Sequence, residues 1–424
     1  MTSSAAAPRS LRHWQLRIFA ATWLAYAGYY FGRKAFYVVK ADFGEALELT
    51  TTQLGHIGTA YLIGYMLGQF SSAYLGRRLG PKLLLLVGIA LSVGCNVAFG
   101  VFNGFWTLIL FFSVNGMAQG TGWPGCIGSL AFWFKRKQRG SVLGVWSTCY
   151  QLGSLAAASL AAFLLGAAGW RWSYFGGAVV LLLAWFAVLL LHPNRPQDVG
   201  QQNQDDEEEN AGAGDAKPSS SLGWTRDVVV TVLVMGAIYF CIKFLRYALW
   251  SWVPFFLQAN FSLEGDEAGY LSTVFDVAGF LGVIVAGFLS DRLFGGRRAL
   301  LSLLMVMAMC AAFGIMYGFG AQSLLIFTLA MGLAGFMLFG PDSLISGTGA
   351  IDVGSAKGAL VAAGVINGMG SIGPVVQEQV IGWMYELGGQ ALGPILVLLF
   401  AMSMLCCVLM AVLYWRSRIG KATL

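Results

Sequence analysis

The sequence predicts an all-α membrane protein of about twelve transmembrane helices, arranged as two six-helix halves joined by a soluble linker. Three observations carry this. Hydrophobic residues make up 57% of the 424, and charged residues only 11%, less than half the roughly 25% usual in soluble domains. Apolar runs such as 83–102 and 397–414 reach the ~20 residues needed to cross a bilayer core. The basic residues are scattered among short turns that fall on one side of the chain's successive crossings.

Hydropathy places the spans at 16–39, 54–76, 83–102, 105–133, 141–166 and 172–191. After a polar interruption they continue at 227–258, 268–290, 299–319, 322–346, 357–386 and 391–415. The halves are therefore residues 1–192 and 225–424, with a cytoplasmic linker at 193–224. The linker holds Asp205, Asp206, Glu207, Glu208 and Glu209, followed by Ala, Gly and Ser. Its stretch from Pro193 to Leu222 has too little apolar content to repay ordering and is expected to be disordered.

The charge balance sets orientation. With the termini and even-numbered turns on one side, that side holds 20 of the 26 Lys and Arg. The other side holds Lys40 and Arg171, and Arg33, Lys34, Lys243 and Arg246 lie within helices. Positive loops stay cytoplasmic, which puts both termini in the cytoplasm. A net charge of +6 spread this way marks topology and is no sign of nucleic-acid binding. The first apolar helix has no convincing cleavage site, so no removable signal peptide is expected. The seven cysteines fall in apolar segments without zinc or disulfide spacing and are expected to pack. No P-loop occurs, and the three histidines are widely separated. The chain is not expected to be an enzyme or to hold a metal or cofactor.

The two halves look duplicated. Arg33 and Arg246 lie 213 positions apart, and Arg78 and Arg292 lie 214 apart. Two landmarks with nearly one offset imply a repeated six-helix unit, in which a substrate site is expected at the repeat interface near the midplane. The turns that follow the second span of each half, Tyr74–Lys82 and Gly287–Arg298, resemble the basic loop of the major facilitator superfamily. In the first, Arg77 stands where that loop has Asp. This resemblance implies the major facilitator fold of two pseudo-symmetric bundles.

Charges inside membrane helices are costly and mark functional sites by default. Tyr26, Tyr30 and Arg33 are spaced by four and three and share one helix face, and Lys34 turns about 100° away from it. In the seventh span Lys243 and Arg246 also share a face, and these like charges repel unless an anion lies between them. Arg suits phosphate because its flat fork donates to two oxygens at once. The acidic residues that could neutralise these cations are Asp276, Asp342 and Glu378. Glu378 could pair with Lys243, or carry a coupling proton if burial raises its pKa.

Tyr26–Lys34 resembles the first helix of the organophosphate:phosphate antiporters. Leu245-Arg246-Tyr247 with Trp252 and Pro254 resembles their seventh helix, and Gly340-Pro341 with Leu344-Ile345 their tenth. Gly120–Pro124 and Leu271–Val277 resemble the sugar-phosphate exchangers within that family. The resemblance covers all but the termini and linker. It implies exchange of an organic phosphate ester for inorganic phosphate by alternating access. Compact length and a short linker favour the cell inner (plasma) membrane of a bacterium, while the exchanger-like motifs leave an intracellular eukaryotic membrane open. It maps the family's two substrate arginines onto Arg33 and Arg246 and its helix 1 tyrosines onto Tyr26 and Tyr30.

Other positions depart from the glycerol-phosphate carriers of the family. Gln69 stands for a lysine, Tyr150 for a histidine, and Lys243 and Ser371 for tyrosines. The expected binding set is Arg33, Arg246, Lys243, Tyr26, Tyr30, Lys34, Gln69 and Tyr150, with Glu378 as ion pair or coupling group. A monomer in the bilayer is expected. Two alternatives stay open: a transporter-like sensor of sugar phosphates, and a proton-coupled carrier of another anion.

Overall fold

The structure, a computed structural model, describes residues 11–134, 142–143, 145–201, 225–292, 294, 298–345, 350–388 and 392–420. The linker residues 202–224 and the basic turn 135–141 lie outside these. Every regular element among the described residues is helical. The α-helices are α1 (Leu11–Val38), α2 (Lys40–Ala46), α3 (Thr51–Leu79), α4 (Pro81–Val101), α5 (Phe105–Gln119), α6 (Gly122–Trp133), α7 (Thr148–Ala168) and α8 (Trp170–Leu191). They continue as α9 (Arg226–Phe261), α10 (Gly265–Arg292), α11 (Arg298–Phe319), α12 (Leu324–Ser343), α13 (Ala350–Leu387) and α14 (Leu392–Arg418).

Among the described residues, eight helices are long and apolar enough to cross a membrane: α4, α7, α8, α9, α10, α11, α12 and α14. Two of the expected spans are too polar along their length. Helix α1 carries Arg12, Arg17, Arg33 and Lys34. Helix α3 carries His56, Gln69 and several hydroxyls.

The fourth span is not one helix, as hydropathy implies, but the 15-residue α5 and the 12-residue α6. Pro124 has no N–H to give the Gly120 carbonyl and its ring crowds that turn. The Thr121 hydroxyl donates to the Ala118 carbonyl at 2.7 Å at the break. Pro254, Pro341 and Pro374 are instead carried inside α9, α12 and α13.

By internal contacts the chain divides into two compact units, Met1–Phe36 with Ala60–Pro218, and Tyr37–Thr59 with Ser219–Leu424. In the first, α4 packs along α8 and α5, and α7 along α8. In the second, α11 packs along α14 and α12, and α13 along α14. Counted as spans, these are the same pairs in both halves, third with sixth, third with fourth, and fifth with sixth. The duplication read from two arginine spacings thus reappears as duplicated packing.

Small residues set how closely helices meet in lipid, where burial of apolar surface gives no drive. A Cβ on Gly64 or Gly68 of α3 would fall far inside van der Waals contact with the carbonyl oxygen of Ser113 or Met117 in α5. No side chain fits between these backbones.

The ordered chain also runs further past the sixth span than the composition implies. Pro196–Val199 forms a turn of 3₁₀ helix in which the Asp198 carboxylate accepts from the Arg195 N–H at 2.9 Å. Just before it, Asn194 Oδ1 accepts from the Lys82 N–H at 3.2 Å, and buried His192 lies 2.7 Å from the Ser129 hydroxyl. These side chains hold the chain after Pro193 against the first unit, so disorder does not start at that residue.

Candidate functional site

In the first unit the site is built on the carboxy-terminal half of α1. The Gly32 carbonyl accepts from the Asn115 amide at 2.8 Å and from the Asn96 amide at 3.2 Å. Both amides are themselves held: the Asn96 amide also donates to the Ser92 carbonyl at 2.8 Å, and the Ser92 hydroxyl donates to Asn115 Oδ1 at 2.6 Å. Gln119 extends this buried network and accepts from the Tyr61 hydroxyl at 2.9 Å. The network anchors α1 immediately before Arg33.

Arg33 is 8% exposed. Its guanidinium lies 4.3 Å from the Tyr30 ring centre and 5.8 Å from that of Tyr65, and its Nε donates to the Tyr29 carbonyl at 3.4 Å. Among the described residues no carboxylate pairs with it. The aromatic faces offer partial negative charge without neutralising the cation. An oxyanion would find there a positive group already stripped of most of its water.

Two turns toward the amino end, Tyr26 packs edge-on against Tyr30 at 6.3 Å and Tyr150 at 5.1 Å. Trp146 lies 5.3 Å and Trp123 6.2 Å from the same ring. Trp146 is fully buried and donates to the Thr22 hydroxyl at 3.1 Å, whereas Trp123 stays 41% exposed. The structure therefore brings together Tyr26, Tyr30, Arg33 and Tyr150 from the expected set. It adds Tyr65 and Trp146, which sequence reasoning passes over, and Trp123, which the sequence beside Pro124 reads as structural. The helical spacing holds a signal for two of them: Tyr65 lies four residues before Gln69, and Trp146 four before Tyr150. Gln69 is half-buried on α3. Lys34 is almost wholly buried, 1% exposed, and its position after Arg33 turns it away from the aromatic face.

In the second unit Arg246 donates to Asp342 Oδ2 at 2.6 Å and stacks 4.4 Å from the Phe339 ring centre. Its side chain is 27% exposed. Lys243, one turn away, donates to Asn367 Oδ1 at 3.0 Å and to the Ser371 hydroxyl at 3.4 Å. It also lies 4.7 Å from the Tyr239 ring centre. Ser371, noted in the sequence only as a departure from tyrosine, thus serves as a lysine partner. The like-charge strain expected between Lys243 and Arg246 is eased by giving each its own acceptor.

Glu378 does not pair with Lys243. It pairs with Lys40 at 3.3 Å and accepts a short hydrogen bond from the Ser251 hydroxyl. Lys40 also donates to Ser251 Oγ at 2.9 Å and stands 3.7 Å over the Trp252 ring. Hydropathy assigns Lys40 to an exposed turn because it follows the last apolar residue of α1. A bend at Val39 starts the short helix α2 instead, and Lys40 is 0% exposed. A charge at a helix end reads as surface in a sequence even when the chain folds over it.

The sequence profile of the Major Facilitator Superfamily matches residues 22–377. Among curated relatives, the chain is 28% identical over 423 residues to a putative glycerol-3-phosphate transporter 2 of Arabidopsis thaliana, covering 90% of this chain and 83% of that one. It is 27% identical to human sugar phosphate exchanger 3, covering 88% and 89%. It is 25% identical to a probable hexose phosphate transport protein of Chlamydia pneumoniae, covering 84% and 82%. Among solved structures, a point mutant of the nucleoside transporter NupG superimposes with a TM-score of 0.73 at 12% identity, over 94% of this chain and 99% of that chain. A bacterial homolog of the human lysosomal transporter Spinster, inward-facing and unoccupied, gives 0.69 at 16% identity, over 96% and 98%. The structural likenesses establish the fold.

Proposed function

The chain belongs to the Major Facilitator Superfamily, a multi-pass membrane protein and no enzyme, and from that premise we propose that it is a secondary transporter exchanging an organic phosphate ester for inorganic phosphate. The observation that carries the reading is Arg33, a buried guanidinium on aromatic rings with no carboxylate pairing it among the described residues. A buried cation of this kind is costly unless an anion visits it. The names of the relatives, which are transporters or exchangers of sugar phosphate, glycerol 3-phosphate and hexose phosphate, supply the anion's class.

In this reading Arg33 and Arg246, the equivalent arginines of the two repeats, both bind the phosphoryl group, each with a bidentate fork. Lys243 adds charge. Tyr26, Tyr30, Gln69 and Tyr150 shape the site around the organic part, and Lys34 contributes positive potential from behind. Binding draws Arg246 away from Asp342, which acts as a stand-in anion when no substrate is bound.

Exchange follows from the same electrostatics. The unloaded carrier must change conformation with a desolvated, uncompensated Arg33, whereas phosphate or its ester neutralises it. The loaded forms therefore switch faster than the unloaded one, and net uniport is slow. Inorganic phosphate serves as counter-substrate because it presents the same oxygens without the organic group. The reading places the protein as a monomer in the cell inner (plasma) membrane with both termini in the cytoplasm, supported by the bias of basic residues toward one set of turns.

Counterflow in proteoliposomes tests it. Vesicles loaded with unlabelled phosphate are expected to accumulate labelled phosphate, and external sugar phosphate to compete. Arg33→Ala and Arg246→Ala are each expected to abolish uptake. Normal phosphate counterflow in both variants would overturn the assignment.

A further inference from the structure

Helix α1 carries a second stripe besides the one that holds Tyr26, Tyr30 and Arg33. Arg17, Leu24, Ala27, Gly28 and Phe31 share a face turned about 135° from those three. From Leu24 to Phe31 this face forms one wall of a groove of about 370 Å³. The other walls are α7, through Leu152 and Ala156, and α8, through Leu183, Ala184 and Ala187.

Residue size gives the groove its shape. Its floor is closed where small residues bring the helices together: a Cβ on Gly28 would lie 2.8 Å from that of Ala184, and one on Gly153 would lie 2.9 Å from the Ala27 Cα. Its rim is made of large apolar side chains, and Leu24, Leu152 and Leu183 all stand exposed. Apart from the Trp23 indole N–H, which is given to the Thr148 hydroxyl at 3.1 Å, no side-chain donor or acceptor lines it. Water in this groove would find no partner. An acyl chain lying along it would touch protein on three sides, where a convex helix face offers one, and dispersion contacts add with each wall.

Arg17 adds a charge at the end of this groove. It lies seven residues before Leu24, in line with the stripe and about 10 Å beyond it at helical rise. On α8, Leu190 stands one turn past Ala187, and the half-buried Arg17 guanidinium donates to the Leu190 carbonyl at 2.6 Å. It is steadied by the Trp14 ring, whose centre is 4.9 Å away. Lys82 donates to the adjacent Leu189 carbonyl at 3.1 Å. Among the described residues no carboxylate pairs with either cation. Capping the last carbonyls of α8 suits both, but it takes one of the five donors of a guanidinium. The charge is left uncompensated, on a flat fork that fits phosphate.

We propose that the groove between α1, α7 and α8 binds an anionic phospholipid, with one acyl chain along the groove and the headgroup phosphate on Arg17. In the orientation proposed above, the headgroup lies in the cytoplasmic leaflet, where anionic lipids give the surface its negative potential. The lipid braces the back of α1, away from the face that carries Arg33. The site is separate from the cargo site and stands whether or not the cargo is a phosphate ester.

Native mass spectrometry of the full chain in detergent tests it, with phosphatidylglycerol and phosphatidylcholine of the same acyl chains offered in equal amounts. Phosphatidylcholine has the same phosphate but carries its own cation. One retained lipid is expected, with phosphatidylglycerol favoured about fivefold, the effect of a single cation near a membrane surface. Arg17→Gln is expected to bring the ratio to about one, and Arg17→Lys to keep most of the preference. Ala156→Leu fills the groove from an exposed position and leaves Arg17 in place. It is expected to cut retention of both lipids several-fold, whereas Ala311→Leu, exposed on α11, leaves retention at the parent level. Excess inorganic phosphate is expected not to displace the lipid. Equal retention of the two lipids by the parent, or an unchanged ratio in Arg17→Gln, overturns the headgroup contact and with it the proposal. Parent-level retention in Ala156→Leu overturns the groove as the acyl site. Displacement by inorganic phosphate overturns the lipid in favour of a soluble anion at Arg17.

Discussion

The pairing of Arg246 with Asp342 makes a prediction that runs against the usual expectation for a binding-site variant. Asp342→Asn is expected to bind phosphate more tightly than the parent. Without substrate, Asp342 occupies Arg246 through a charge-assisted hydrogen bond of 2.6 Å, and an incoming phosphate must displace it. Hydrogen bonds to charged groups are worth about 1.5–3 kcal/mol in proteins. The Arg246 side chain is 27% exposed, so solvent screening brings the figure down to about 1–2 kcal/mol. Once Asp342 no longer competes, that amount is added to phosphate binding, a factor of about 5–30 in affinity.

The same step lowers the stability of the unloaded protein by a similar amount, because Arg246 loses its counter-ion, and saturating phosphate restores it by mass action. Equilibrium binding of labelled phosphate to purified protein reads the first effect. Thermal unfolding in detergent with and without phosphate reads the second. Exchange turnover is expected to fall, since tighter binding slows release. A phosphate affinity equal to or weaker than the parent's, in a variant that unfolds at the parent temperature, would refute the competition between Asp342 and substrate.

Other substitutions test the remaining parts. Arg33→Lys keeps the charge but loses the flat stacking on Tyr30 and the bidentate fork, so phosphate exchange is expected to drop at least about tenfold in counterflow. Lys243→Gln can still bond Asn367 or Ser371 while removing the charge beside Arg246. Its phosphate affinity is expected to fall, by binding assay, while the unloaded protein melts no lower than the parent, because a like-charge repulsion of a few tenths of a kcal/mol is gone. Gly68→Ala drives a methyl into the Met117 carbonyl oxygen, a backbone atom that cannot yield without moving α3 from α5. A loss of about 1–3 kcal/mol is expected, read as a lower unfolding temperature or folded yield.

Much of the architecture was legible because lipid demands it. Long apolar helices with polar turns admit few other readings, and the nearly equal spacing of Arg33 to Arg246 and Arg78 to Arg292 disclosed the repeat. Within the first unit, helical spacing alone put Tyr26, Tyr30 and Arg33 on one face, and the rings do meet there. What sequence could not supply was partnership across distance. Glu378 and Lys40 stand 338 positions apart, and nothing local to either names the other. Hydropathy offered Lys243 as a partner, being a cation within a span, and discounted Lys40 as a turn residue. The fold chose otherwise because α2 brings Lys40 against Ser251 of α9. The split of the fourth span was visible in Gly120 and Pro124, but a hydropathy average runs across it, since a break in hydrogen bonding need not interrupt apolarity. Trp146 was hidden by number, since with 14 tryptophans in the chain composition gives no reason to single it out, and Trp123 was read as structural because Pro124 follows it.

The double amide grip on the Gly32 carbonyl gives α1 the character of a lever. From that fulcrum to Lys40 the chain rises about 12 Å at helical pitch, and Arg33 sits beside the pivot while Lys40 sits at the far end. A tilt that swings the tip by several ångströms carries the guanidinium through only a small fraction of that travel. On the proposed function, Arg33 then stays nearly still when the helix tilts. Substitutions at Asn96 or Asn115 would loosen the pivot itself, and their expected signature is weaker phosphate binding.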